Sequence, residues 1–260
     1  MKFSFINLAR AVVPECWHFS RFCPTFLRER IIRRTGLRVA SGPLKGMRYI
    51  ETSRASVLEP KLLGIYEREL HPVIDEISGK SFTRIIDIGA AEGYYAVGLA
   101  LRVPEALIWA FEKDESARLL LRMLAEKNDV ASRVNVMGLC ETRHLVDLIR
   151  NDGITLIVCD AEGGEATLLD PEVVPNLEFS HILVELHSKT VPGVEELLRR
   201  RFECTHRIQT IEQGTRSALD YPYWDFPVNL FPKVYLENAV SEFRQPWQNW
   251  MSWYWMEPRI

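Results

Sequence analysis

From residue 84 onward, short runs of β-branched and aliphatic residues alternate with stretches whose apolar positions recur every three or four residues. The runs predict strands over 84–89, 107–112, 134–139, 155–160 and 181–187, and the stretches between them predict helices over 94–102, 115–127, 143–151, 165–170 and 194–202. Two further strands are expected at 204–211 and 250–256, the latter inside the aromatic-rich WMSWYWM. Strands alternating with amphipathic helices imply an α/β fold, a doubly wound and mostly parallel seven-stranded sheet with helices on both faces. Upstream, 57–77 reads as a helix that Pro72 breaks or kinks near its middle.

Composition narrows the class. The chain of 260 residues is 47% hydrophobic and 26% charged, has no apolar run long enough to span a bilayer, and reads as one cytoplasmic globular domain with decorated ends. Five scattered cysteines without a CxxC pair argue against a disulfide framework or a zinc ribbon. The net charge of −3 hides an asymmetry: residues 1–48 carry ten Lys or Arg against Glu15 and Glu29, so this segment is +8 and the rest −11. Because its basic residues are interleaved with Phe, Trp, Leu and Ile, 1–48 is expected to be a basic amphipathic helical extension that covers the core of 49–260 or a second copy in a homodimer. Peripheral contact with a membrane surface is the second reading of this arm. The acidic body does not favour nucleic acid as a partner.

Candidate chemistry lies at the strand ends, where open α/β sheets bind ligands. RIIDIGAAEGYY closes an apolar run on Asp87 and then sets Gly89 and Gly93 four residues apart, with Ala90, Glu92 and Tyr94 around them. The glycines allow a tight turn and a close ligand, but the spacing is not that of GxGxxG and no GK[ST] follows. A carboxylate at the first strand end would repel a pyrophosphate and suits a ligand carrying positive charge. The second strand ends in Phe111, Glu112 and Lys113, where Glu112 can accept from both hydroxyls of a ribose. The third ends in GLCE, where Glu141 can accept from an exocyclic amine beside Leu139 and Cys140. In this order these groups describe a nucleoside with a charged amino-acid tail, S-adenosylmethionine.

DIGAAEGYYA, AFEK and VCDAEG resemble motifs of class I S-adenosylmethionine-dependent methyltransferases, whose fold is Rossmann-like. CDAEGGEATLL followed by ILVELH is similar to the FkbM-type branch, and Gly164 stands where that branch has one small or apolar residue between EG and the next Glu. The resemblance implies O-methylation of a sugar or related hydroxyl, on a small molecule or glycan acceptor.

Transfer to a neutral hydroxyl needs alignment and a proton acceptor. Asp160, Glu162 and Glu165 follow the fourth strand, and Glu185 and His187 end the fifth. Two residues apart on a strand, Glu185 and His187 share a face, so His187 is the expected general base with Glu185 beside it. Glu162 is the next candidate, and Asp160 is expected to hold the donor or orient the acceptor. No resident metal is assigned, although Asp160, Glu162, Glu185 and His187 would suit Mg²⁺ or Mn²⁺. The segment 212–249, with Tyr221, Tyr223, Trp224 and Asp225, is an insertion expected to face the acceptor. Rival readings are a binding module of the same fold that catalyses nothing, an N-methyltransferase, and a nicotinamide-dependent oxidoreductase, the last disfavoured by Asp87 and the glycine spacing.

Overall fold

The computed structural model describes residues 17–54, 56–242 and 251–259, with side chains described from Thr25 on. The expected alternation is present. Strands β1 (Arg84–Ile88), β2 (Leu107–Phe111), β3 (Val134–Met137), β4 (Thr155–Cys159), β5 (His181–Leu186), β6 (His206–Glu212) and β7 (Ser252–Pro258) form one sheet in the order β3-β2-β1-β4-β5-β7-β6. β3 through β5 pair in parallel, and β7 runs antiparallel between β5 and β6. The strand order reverses between β1 and β4, so the crevice at this Rossmann-like switch point opens beyond their carboxyl ends.

Alternation along the buried strands sorts their side chains onto two faces. Ile85, Ile108, Leu156, Leu183, Trp253 and Trp255 join one apolar cluster, whereas Ile86, Ile157, Ile182, Tyr254 and Met256 join the other. The first face is covered by helices α4 (Tyr94–Arg102) and α5 (Glu115–Lys127), the second by α6 (Thr142–Leu148), α7 (Glu165–Leu168) and α8 (Val194–Phe202). WMSWYWM thus supplies a buried strand, with Trp250 outside the described residues.

The N-terminal extension joins this core. Helix α1 (Trp17–Thr35) buries Leu27 and Ile31 in the first cluster, beside Val39, Leu44 and Met47. Its arginines meet the protein's own acids: Arg28 pairs with Glu59, and Arg30 and Arg34 both grip Asp225. Residues 1–16 of the basic arm, including Cys16, lie outside the described residues, as do 243–250 of the insertion.

The expected break at Pro72 falls elsewhere. Helix α2 (Leu58–Leu63) ends at Gly64, whose φ of 73° and close approach to the Ser41 backbone admit no Cβ, and α3 (His71–Ser78) begins afresh with Pro72 in its first turn. At that position a missing N–H costs nothing, so Pro72 starts a helix and does not interrupt one.

Candidate functional site

A cavity of about 1090 Å³ lies over the carboxyl ends of β1, β2, β4 and β5. One drug-sized ligand fills a pocket of roughly 300–1,000 Å³. The space therefore has room for a ligand at the upper end of that range.

The β1 turn is held tightly. Gly89 and Ala90 donate their backbone N–H groups to the Phe111 carbonyl, and Asp160 N donates to the Ile88 carbonyl. Gly89 has φ of 84°, and a Cβ there would stand 1.8 Å from the Asp160 carbonyl oxygen, so only glycine brings the β1 and β4 loops this close. Asp87 is 3% exposed, and its Oδ2 has no hydrogen-bond partner among the described residues. Burial, then the charge of Asp160 and that of Glu112, push its carboxyl up to about 7, against the pull of a hydrogen bond from the Ala96 backbone. An unpartnered buried oxygen among like charges is a seat for a cation.

Glu112 is fixed by the backbone, with Oε2 accepting from Ala91 N at 2.9 Å and Oε1 from Asp114 N at 2.7 Å. Each carboxylate oxygen keeps a further lone pair for hydroxyl donors. Phe111 and Cys140 supply buried apolar surface nearby, and burial followed by the charge of Glu141 pushes the Cys140 thiol up to about 12. Glu141 is exposed at the cavity rim and caps α6, where its backbone N donates to His144 Nδ1 at 3.0 Å. Lys113 and Tyr94 also line the cavity.

Two expected cofactor residues stand elsewhere. Glu92 is fully buried and does not line the cavity: its carboxylate takes Lys61 Nζ at 2.5 Å, Tyr49 Oη at 2.7 Å, Ser53 Oγ at 2.6 Å and Arg54 N at 3.0 Å. Burial alone would raise this carboxyl, but Lys61 and the two hydroxyls hold it at about 2. Glu92 fastens the segment before β1 to the β1 turn. Gly93 likewise turns from the cavity, and a Cβ on it would meet Leu121 Cγ at 2.8 Å. The local pattern around DIGAAEG did not carry this difference, because an N-terminal segment supplies Glu92's partners.

At the other end of the cavity, Asp160, Glu162, Glu185 and His187 come together as expected, and all four line it. The partner of the imidazole differs from expectation. His187 Nδ1 lies 2.6 Å from Oε1 of Glu165, a residue with no exposed surface, while Nε2 lies 3.5 Å from both Asp160 Oδ1 and Glu162 Oε2. Glu165 thus takes the role assigned to Glu185. Burial pulls the His187 pKa down, but the Glu165 hydrogen bond and the charges of Asp160, Glu165 and Glu162 lift it above its ordinary value. Glu165 moves the opposite way: burial pushes its carboxyl up, and the bond to His187 brings it below the ordinary range. Asp160, Glu185 and His187 also offer ligand atoms within 4.8 Å of one another, a spacing compatible with a divalent cation.

Tyr221, Tyr223, Trp224 and Asp225 do not line this cavity. Tyr221 is fully buried in the first apolar cluster, the Arg34 guanidinium lies 5.8 Å from the Tyr223 ring centre, and Asp225 answers the α1 arginines. This part of the insertion packs against the positively charged helix, and Asp225 supplies the counter-ion to two of its arginines. A wall that the strand pattern did not mark is formed by Tyr66, Glu67, Tyr95 and, from the insertion, Glu242. Glu67 is 1% exposed and accepts from Tyr95 Oη at 2.5 Å.

The chain matches no protein-family model and no curated protein sequence. Among solved structures, it is similar to the delta-N METTL16 MTase domain, at 14% identity over 90% of this chain and 94% of the other with a TM-score of 0.49. It is also similar to a human methyltransferase 10 domain containing protein, at 14% identity over 90% and 95% with a TM-score of 0.48. A third similarity is to precorrin 8W decarboxylase from Methanobacterium thermoautotrophicum, at 16% identity over 72% and 88% with a TM-score of 0.47.

Proposed function

We propose that the chain binds S-adenosylmethionine and transfers its methyl group to a hydroxyl of a neutral small molecule or glycan, in keeping with the FkbM-like motifs of its sequence. The observation that carries this is the buried Asp87, with an unpartnered oxygen at the β1 end between Glu112 and Asp160, in the same cavity as His187. That anionic seat fits a ligand with an ammonium and a sulfonium and opposes a pyrophosphate. When bound, S-adenosylmethionine supplies an electrophilic methyl group on a cationic sulfur.

The residues then divide the work. Asp87 and Asp160 face the cationic tail, and Glu112, anchored by Ala91 and Asp114, presents its remaining lone pairs to ribose hydroxyls. Phe111, Leu139 and Cys140 give the purine an apolar bed, with Glu141 at its edge. His187 Nε2 receives the acceptor's proton, with Glu162 beside it. Two further carboxylates in the lining, Glu67 and Glu242, make the cavity unwelcoming to phosphorylated or polyanionic acceptors. A second reading follows from the spacing of Asp160, Glu185 and His187: a divalent cation among them would polarise the hydroxyl instead. Transfer lost with EDTA and restored by Mg²⁺ would select it.

The experiment is calorimetry with S-adenosylhomocysteine and with NAD, followed by incubation with methyl-labelled donor and fractionated cell extract. Binding of S-adenosylhomocysteine and label in a hydroxyl-bearing small-molecule or glycan fraction are expected. Binding of NAD alone would refute the donor, and label confined to RNA or protein would refute the acceptor class.

A further inference from the structure

We infer that Glu165 is the positioning residue of this transfer, fixing His187 in the tautomer that turns a lone pair on Nε2 to the acceptor. The inference rests on the function proposed above and adds to it the device that makes His187 usable.

An ionised carboxylate can only accept, so the 2.6 Å contact puts the hydrogen on Nδ1. The neutral ring then carries its lone pair on Nε2, inside the cavity. Left to its other neighbours, the ring would choose the opposite form: Asp160 Oδ1 and Glu162 Oε2 flank Nε2 at 3.5 Å and favour a hydrogen there. Distance decides the contest, because 2.6 Å is a strong charge-assisted bond and 3.5 Å lies beyond good hydrogen-bond length.

The surrounding loop is shaped for this contact. Gly163 N donates to the same Oε1 at 3.2 Å, and Gly163 has φ of 108° with Thr190 Cγ2 2.7 Å from where a Cβ would be. On the other side, Thr190 N and Val191 N donate to the His187 carbonyl at 3.0 and 2.9 Å, so both partners are held by backbone. Glu165 Oε2, meanwhile, has no partner among the described residues. A buried carboxylate oxygen left unsatisfied is costly, and a pair kept only for stability would gain by satisfying it.

The test is nitrogen-15 NMR of the imidazole in the full chain, with His187 assigned by its loss in H187Q. In the wild type, the neutral ring is expected to carry its hydrogen on Nδ1, and in Glu165→Gln the Nε2-protonated form is expected to gain at its expense. With any extract fraction that accepts label, E165Q should slow transfer about 10²-fold, the order contributed by a working general base, with S-adenosylhomocysteine affinity unchanged. A wild-type ring with its hydrogen on Nε2 overturns the inference, and needs no variant to fold. An E165Q ring with the wild-type tautomer ratio overturns it too. Failure of the wild type to bind S-adenosylhomocysteine is read separately by calorimetry and overturns the underlying function.

Discussion

Replacing Asp87 with Asn should stabilise the protein at alkaline pH while weakening the donor. Asn keeps an oxygen for the Ala96 backbone N–H and removes the charge. A carboxyl held near 7 in place of its ordinary 3.8 costs ~4 kcal/mol when ionised, at about 1.4 kcal/mol for each tenfold in proton affinity. The sign follows from proton counting: the folded chain keeps a proton that the unfolded chain has lost across this window, so wild-type stability falls as pH rises through it. D87N escapes that loss. At roughly 2 °C per kcal/mol for a chain of this size, its Tm should exceed wild type by about 8 °C near pH 8 and by only about 3 °C near pH 5, because the gain vanishes only below the ordinary 3.8. Donor binding should respond in the opposite sense. The carboxylate that seats a cation contributes on the order of 1.5–3 kcal/mol, so D87N should bind S-adenosylhomocysteine about 10- to 100-fold more weakly. Wild-type affinity should also decline as pH drops below about 7, and the variant should lack that dependence. Thermal melts at the two pH values and calorimetry across the range are the assays. A Tm gain equal at both, or donor affinity untouched by the substitution, would refute the reasoning.

Glu92→Gln leaves Lys61 buried without its counter-charge and should cost ~3–5 kcal/mol in a denaturant melt, with little change in S-adenosylhomocysteine affinity where the variant is folded. Because the Glu92 carboxyl is held at about 2, its contribution is full above its ordinary 4.5 and is lost as pH falls through that interval, which an acid-unfolding curve will show as a milder acid transition for E92Q. Gly89→Ala drives a Cβ into the Asp160 carbonyl at a positive φ and should abolish donor binding and lower the Tm markedly, whereas unimpaired binding would mean the two loops are not so closely joined. Asp225→Ala releases Arg30 and Arg34 and should speed amide exchange along α1 without altering donor affinity, since neither arginine lines the cavity.

The sequence carried the order of the sheet and the acids that gather at its edge. Strands buried on both faces need unbroken apolar runs, and the helices between them need a one-sided repeat, so the order of elements is written in local pattern. The strand-end acids were legible for a related reason: Asp87 near the end of β1, and Glu112 and Asp160 just past β2 and β4, are carried by the sheet to one edge. Tertiary structure decided the pairings. Glu92 lies among cavity residues in sequence, yet Lys61, Tyr49 and Ser53 arrive from a segment some 30 to 40 residues earlier and claim it. Glu165 reaches His187 across 22 residues, overriding the two-residue strand neighbour that periodicity favours. Asp225, an acceptor contact by its place in the aromatic insertion, is a counter-ion for a helix nearly 200 residues upstream. A carboxylate's type announces what it can bind. Which cation or donor it meets depends on the direction of each side chain and on the segments packed against it, which the packed chain alone supplies.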